Sequence, residues 1–303
     1  MRSFSQASGS GDPWGVLDRF GEILRPRDAM EPILAAPVRA AVFEWMTEIR
    51  ASDELKSVGL KARSTALLYG PPGTGKTTLA HHLAARLGLP LVALQTERIH
   101  ERWIGATGEN IGMVFDALNA VSDKCVVLFD EADAMMSKRT TRGSSAGDKD
   151  FNSSMSIMLR RIEGFNGIAL AATNLAEDID PAMWRRFGLQ ICVALPGEEE
   201  RFAILKRYSA PFELTDDDIE LLVDLTDGTS PALLRGLMEG MKRVLVLGPK
   251  LRRDISSPVS VFRQIIASVA PPPDISAPQL WSASGAVDEL DRLTWPPVRA
   301  EGH

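Results

Sequence analysis

Cysteine is scarce in this chain, and so are long apolar runs and any surplus of positive charge. Of 303 residues only Cys125 and Cys192 are cysteines, and both lie inside apolar runs. That pattern excludes a disulfide scaffold and a cysteine-rich metal site, and it reads as two buried, reduced thiols in a cytoplasmic protein. No apolar stretch reaches the roughly 20 residues needed to cross a bilayer, so no membrane partner is expected. The first ten residues, Met1-Arg2-Ser3-Phe4-Ser5-Gln6-Ala7-Ser8-Gly9-Ser10, are polar and lack the apolar centre of a secretory signal. Lys and Arg number 34 against 40 Asp and Glu, for a net charge of -6. Nothing global therefore favours nucleic acid or an anionic surface. No internal repeat is present.

What remains is an ordinary globular composition, 45% hydrophobic and 24% charged, in a chain long enough for one large or two modest domains. Residues 1–27 read as a flexible leader. Residues 28–60 form an N-terminal helical segment, in which Met30, Ile33, Val38, Val42, Trp45, Met46 and Ile49 recur at helical spacing, interrupted by Pro32 and Pro37. From 61 to 196 short apolar runs alternate with helical stretches. Strands are expected at 66–69, 91–95, 125–129, 168–172 and 191–195, and helices at 76–87, 110–121 and 153–163. The strands are continuously apolar, as strands buried on both faces are. Repeated strand–helix units imply an α/β fold, a parallel sheet flanked by helices. Residues 197–269 change character and form a small all-helical domain. Its helices are marked by Thr215 before three aspartates and by Ser230-Pro231. The Pro/Ser-rich tail at 270–303 reads as extended or disordered, although Trp281 and Leu293-Thr294-Trp295 suggest docking.

The most informative stretch is Gly70-Pro71-Pro72-Gly73-Thr74-Gly75-Lys76-Thr77, followed by Thr78. It meets the P-loop pattern G-x-x-x-x-G-K-[ST] at every fixed position, between the strand and the helix its mechanism requires. Backbone N–H groups and a helix N-terminus there face one spot and suit a polyphosphate. Lys76 supplies a point charge for the terminal phosphates, and the Thr77 hydroxyl a ligand for Mg²⁺. A second element is Cys125-Val126-Val127-Leu128-Phe129-Asp130-Glu131-Ala132-Asp133, an apolar strand ending in acids. It delivers both carboxylates to the carboxyl edge of the sheet, beside the P-loop. Asp130 fits a Mg²⁺-coordinating acid, and Glu131 the base that orients water toward the γ-phosphate.

Together these elements look like an ATPase, a P-loop NTPase by fold. Further stretches make roughly residues 30–268 resemble the AAA+ ATPases, with a helical lid after the α/β domain. Ala171-Ala172-Thr173-Asn174 resembles sensor 1, which gives Asn174 the task of positioning the attacking water. Ile179-Asp180-Pro181-Ala182-Met183-Trp184-Arg185-Arg186-Phe187 resembles the segment that offers arginine fingers to a neighbouring subunit. Here the arginines are adjacent rather than separated by two residues, and Gly188 follows Phe187 where Asp is usual, so the finger is Arg185, Arg186 or both. Arg102-Trp103-Ile104-Gly105 resembles the first pore loop of protein-threading members, with Trp103, Ile104 and Gly105 as the gripping triplet. Residues 137–148 stand where a second pore loop is expected. Gly228-Thr229-Ser230-Pro231-Ala232-Leu233-Leu234-Arg235 resembles the sensor 2 helix, with Arg235 one turn later than the usual position.

The resemblance implies ATP and Mg²⁺ bound at a site shared between subunits of a homo-oligomeric ring, a hexamer. It also implies a protein client remodelled or unfolded through the central pore. Two alternatives stay open: a nucleic-acid motor or loader of the same fold, against which the acidic charge argues, and a single-client remodeller of the activase kind.

Overall fold

The computed structural model describes residues 12–95, 109–133, 157, 160–175, 179, 181–272, 276–283 and 285–300. The chain divides into two compact units. One holds the N-terminal residues to Pro32 with Pro37–Gly70 and Lys76–Val193. The other holds Ala194 onward with the short pieces Ile33–Ala36 and Pro71–Gly75.

The first unit is built on a six-stranded sheet. Its strands are β1 (Gly21–Leu24), β2 (Thr65–Tyr69), β3 (Leu91–Gln95), β4 (Val126–Asp130), β5 (Ile168–Thr173) and β6 (Leu189–Cys192), in the spatial order β1-β3-β4-β5-β2-β6. Strands β2 to β6 are mutually parallel, and β1 joins one edge antiparallel to β3. The continuous apolar runs end up fully enclosed: Leu67, Leu68, Val92, Val127, Leu128, Ala169 and Ala171 have no solvent exposure. Helices α2 (Ala36–Arg50), α3 (Ser52–Ser57), α4 (Lys76–Arg86), α5 (Glu109–Ala120) and the single turn α6 (Pro181–Trp184) surround the strands in sequence. On α5, Ile111, Val114, Phe115 and Leu118 share the i, i+3, i+4, i+7 face that packs into the sheet core.

The leader differs from expectation. Residues 13–24 contain helix α1 (Pro13–Asp18) and the edge strand β1, with Leu17 and Phe20 buried in the sheet core. Asp12 caps α1, accepting from the N–H groups of Trp14 and Gly15, with proline at the first helical position. Those signals are local, but six helical and four strand residues are too short for a periodicity to register. Strand β6 also begins two residues before the expected apolar run, because its pairing with β2 starts at Leu189 opposite Ala66.

In the second unit, α7 (Glu198–Ser209), α8 (Asp216–Leu225), α9 (Pro231–Leu247) and α10 (Pro258–Ser268) enclose Leu205, Ile219, Leu222, Leu234, Leu237, Met238, Met241 and Phe262. Thr215 and Ser230 cap α8 and α9 through their hydroxyls, as the sequence implies. The expected disordered tail is instead part of this core. Leu280, on the single turn α11 (Gln279–Ser282), is buried there with Leu290 and Leu293. The indole N–H of Trp281 donates to the Val269 carbonyl at 2.6 Å and that of Trp295 to the Ile255 carbonyl at 2.7 Å. The unit is also not wholly helical: β7 (Phe212–Glu213) pairs antiparallel with β8 (Val298–Arg299). The tail's apolar residues are few but large, and both tryptophans find a carbonyl for their one donor. Among the described residues no helix is long and apolar enough to cross a membrane.

Candidate active site

The strand order places β5 between β2, which leads into the P-loop, and β4, which ends in the acids. The strand that carries the acids is therefore separated from the P-loop strand by β5, and Asn174 lies just past the end of β5. The pairing Tyr69↔Thr173 brings the P-loop entry and the Asn174 turn level at the same sheet edge.

Three P-loop glycines, Gly70, Gly73 and Gly75, have φ of +146°, +75° and +92°. At Gly70 the requirement is also steric, since a β-carbon would fall 2.2 Å from the carbonyl oxygen of Val193. Within the loop the Thr74 hydroxyl donates to the Pro71 carbonyl at 3.0 Å. The piece Pro71–Gly75 belongs to the second unit, in which the Ala232 N–H donates to the Gly73 carbonyl at 3.2 Å.

Lys76 opens α4 with only 7% of its surface exposed. Its ammonium donates to the Gly70 carbonyl at 2.8 Å and to Asn174 Oδ1 at 2.6 Å. Burial pushes its pKa below the ordinary lysine value, while the carboxylates of Asp133 and Asp130 pull it back up. At the next residue of α4, the Thr77 hydroxyl donates to Asp130 Oδ2 at 2.8 Å. The Asp130 carboxylate also accepts the Glu131 N–H at 3.0 Å. Glu131 itself is exposed and has φ +49°, in the left-handed region that non-glycine residues seldom occupy. The turn holding it there is anchored by the N–H of buried Ala132, which donates to the Ala172 carbonyl at 2.9 Å.

One residue of this site had no role in the sequence reading. Asp133 Oδ1 accepts both the hydroxyl of buried Thr173 and the N–H of Asn174, the latter at 2.8 Å. It thereby ties the turn after β4 to the turn after β5 and holds Asn174 toward Lys76. Its position three residues after Asp130 was the available signal, but only the fold reveals that a β5 residue faces it.

The two arginines separate. The Arg186 side chain forms an ion pair with Glu163 at 2.6 Å and is 29% exposed. Arg185 is exposed and forms no ion pair among the described residues. Arg235 donates to Glu239, one turn on along α9, at 2.7 Å and lies over the Tyr208 ring at 5.6 Å from its centroid. Within the second unit, Ser230 and Ala232 at the start of α9 lie against Gly73. Trp103, Ile104, Gly105 and the 137–148 stretch lie outside the described residues.

The donor set suits a nucleoside polyphosphate: a glycine-rich turn, a buried cation and the N-terminus of an 11-residue helix. The Thr77 hydroxyl and the Asp130 carboxylate, held together, suit a hard oxygen-seeking cation. Among the described residues no group of three or more His, Cys, Asp or Glu could hold a metal by itself.

Residues 66–195 match the model of the ATPase family associated with various cellular activities, AAA. The stretch bearing the P-loop, the acids, Asn174 and the arginine pair is thus an AAA-family ATPase domain. Its relatives include the probable 26S proteasome regulatory subunit 10B of Caenorhabditis elegans, 34% identical over 211 residues, covering 64% of this chain and 51% of that protein. Another is the ATP-dependent zinc metalloprotease FtsH of Lachnoclostridium phytofermentans, 31% identical over 210 residues, covering 67% of this chain and 36% of that protein. The chain spans about half the length of the first of these and less of the second. The crystal structure of the FIGL-1 AAA domain shares the fold, with a TM-score of 0.68 at 21% identity, covering 90% of this chain and 94% of that one. The same domain has been solved in complex with ADP.

Proposed function

We propose that this chain hydrolyses ATP as a subunit of a homo-oligomeric ring and uses the cycle to remodel or unfold a protein client. The observation that carries the reading is the convergence of Lys76, Asn174, Thr77 and Asp130 within hydrogen-bond distance at one sheet edge, with Glu131 exposed beside them. In this reading ATP takes over the role of Asn174 and Gly70 as partner of the Lys76 ammonium, and its phosphates compensate the desolvation of that cation. A magnesium ion held through Thr77 and Asp130 would supply charge neutralisation on the phosphate oxygens. Glu131, exposed and a carboxylate, takes the proton of the attacking water, and Asn174 orients that water. Arg185, exposed and without an ion-pair partner among the described residues, is the better of the two arginines to complete a neighbouring site. Arg186 is engaged by Glu163 within the same subunit. Arg235 would reach phosphate only by leaving Glu239.

The protein client is favoured by the relatives, a proteasome regulatory subunit and an ATP-dependent protease, and by the net charge of -6, which repels nucleic acid. Trp103, Ile104 and Gly105 are proposed to grip that client. Glu131→Gln should bind ATP normally and lose turnover by about 10²-fold or more. Affinity capture of that variant with ATP should retain a protein, and release it on ADP exchange. Normal hydrolysis by Glu131→Gln would sink the site assignment. Capture of nucleic acid, with hydrolysis stimulated by it, would overturn the protein-client reading.

A further inference from the structure

We infer that Gln190 is a positioning residue for the arginine this subunit offers its neighbour. The inference rests on the shared-site reading above, with Arg185 as the finger.

Arg185 lies in neither a helix nor a strand. Helix α6 ends at Trp184 and β6 begins at Leu189, so the arginines occupy the turn between them. A helix end leaves carbonyls without partners, and a turn held only by its own backbone would let a long side chain wander. Here side chains from two adjacent strands capture the turn. Gln190, on β6, donates through Nε2 to the Trp184 carbonyl at 3.0 Å and to the Phe187 carbonyl at 2.6 Å. Thr65, on β2, donates its hydroxyl to the Arg186 carbonyl at 3.4 Å and accepts the Gly188 N–H at 3.1 Å. The orientation of the Gln190 amide follows from chemistry, because only its NH₂ end can face two carbonyl oxygens.

The carbonyls on both sides of Arg185 are therefore tied to the sheet. The neighbouring side chains are tied as well: Trp184 packs edge-on against Tyr69, with centroids 5.0 Å apart, and Arg186 pairs with Glu163. Arg185 is the exposed long side chain left on a braced turn. A guanidinium that must meet a phosphate across a subunit boundary gains from such bracing, since a displacement of about 1 Å in a catalytic group costs up to ~10²-fold in rate. Gln190 is a polar residue in an otherwise apolar strand, Leu189-Gln190-Ile191-Cys192, and the turn accounts for its presence.

The test uses the full chain and the variants Gln190→Met, Arg185→Ala and Glu131→Gln. Methionine keeps the length of glutamine and removes both donors. Binding of a fluorescent ADP analogue and ATP hydrolysis are measured for each variant alone and for equimolar mixtures allowed to exchange subunits. Gln190→Met alone should bind the analogue as the unaltered protein does and hydrolyse ATP at least about tenfold more slowly. Mixed with Glu131→Gln it should recover hydrolysis, as should Arg185→Ala, because the intact Glu131 site of one subunit then meets an intact Arg185 turn from the other. Hydrolysis by Gln190→Met at the unaltered rate would overturn the inference. So would a loss that mixing does not recover while that of Arg185→Ala is recovered, which is the signature of a merely structural role. If Arg185→Ala is itself not recovered by mixing, the shared-site reading fails, and the role of Gln190 fails with it.

Discussion

Asp133→Asn is the substitution that most directly tests how the turns after β4 and β5 are joined. The carboxylate accepts from the Thr173 hydroxyl and from the Asn174 N–H, and its charge acts on the buried Lys76 ammonium. Asparagine keeps the size and can still accept both bonds through Oδ1, but without charge. Charge-assisted hydrogen bonds are worth about twice neutral ones, so two of them weakened together should cost about 1–3 kcal/mol. Part of that loss appears as stability, read from urea unfolding. The rest appears as a misdirected Asn174, read as a fall in turnover by about tenfold for each ~1.36 kcal/mol that reaches the transition state. Thr173→Val removes the hydroxyl and keeps the shape of a residue that is 1% exposed. Because both substitutions act on one bond, the double variant should cost less than the sum, with a coupling of about 0.5–1.5 kcal/mol. Lys76 would lose one of the carboxylates that pull its pKa up, so that pKa should fall further in Asp133→Asn. Additive effects, or an Asp133→Asn protein with unaltered stability and turnover, would refute the idea that this carboxylate holds Asn174 in place.

Other perturbations separate binding, catalysis and folding. Arg185→Ala should leave unfolding unchanged and reduce turnover by about 10²-fold or more. Arg186→Ala should mainly lower stability, by about 1 kcal/mol or less, because its ion pair with Glu163 is partly exposed; the opposite pattern in paired unfolding and turnover assays would exchange their roles. Gly70→Ala places a β-carbon 2.2 Å from the Val193 carbonyl oxygen, so it should abolish binding of a fluorescent nucleotide analogue or prevent folding, and a well-folded variant with normal affinity would contradict the geometry. Glu48 accepts from the backbone N–H and from Nε of Arg63, each at 2.7 Å, and the guanidinium bond is the main reason its carboxyl titrates below the ordinary value of 4.5. A depressed carboxylate stabilises the fold above its unfolded pKa and loses that contribution as pH falls through the folded one. Glu48→Gln should therefore unfold more easily at pH 7, with the gap to the unaltered protein closing below about pH 4.5; a gap that widens on acidification would contradict the assignment.

What the sequence made legible follows from how far each signal reaches along the chain. The P-loop, the acids after β4 and the caps of α8 and α9 are local patterns, and a residue's role there is decided by neighbours within a few positions. The five parallel strands were legible because burial on both faces leaves continuous apolar runs. Edge strand β1 escaped because a short edge strand carries no such run, and the tail escaped because its few apolar residues are separated by polar ones. In both cases the decisive partner lies far along the chain: Gly21 pairs with Leu94, and the Asp218 carboxylate receives the Thr294 N–H at 2.8 Å. The same reach explains the site. Lys76 and Asn174 are 98 positions apart and meet at 2.6 Å, a pairing that neither the residues nor the resemblance announced. Asp133 and Gln190 act largely on backbone groups, whose identity leaves no mark in sequence, so a motif can name the residues proposed to touch phosphate but not those that aim them. The proposed division of labour between Arg185 and Arg186 is of this second kind: of two identical side chains at adjacent positions, Glu163, far along the chain, engages Arg186.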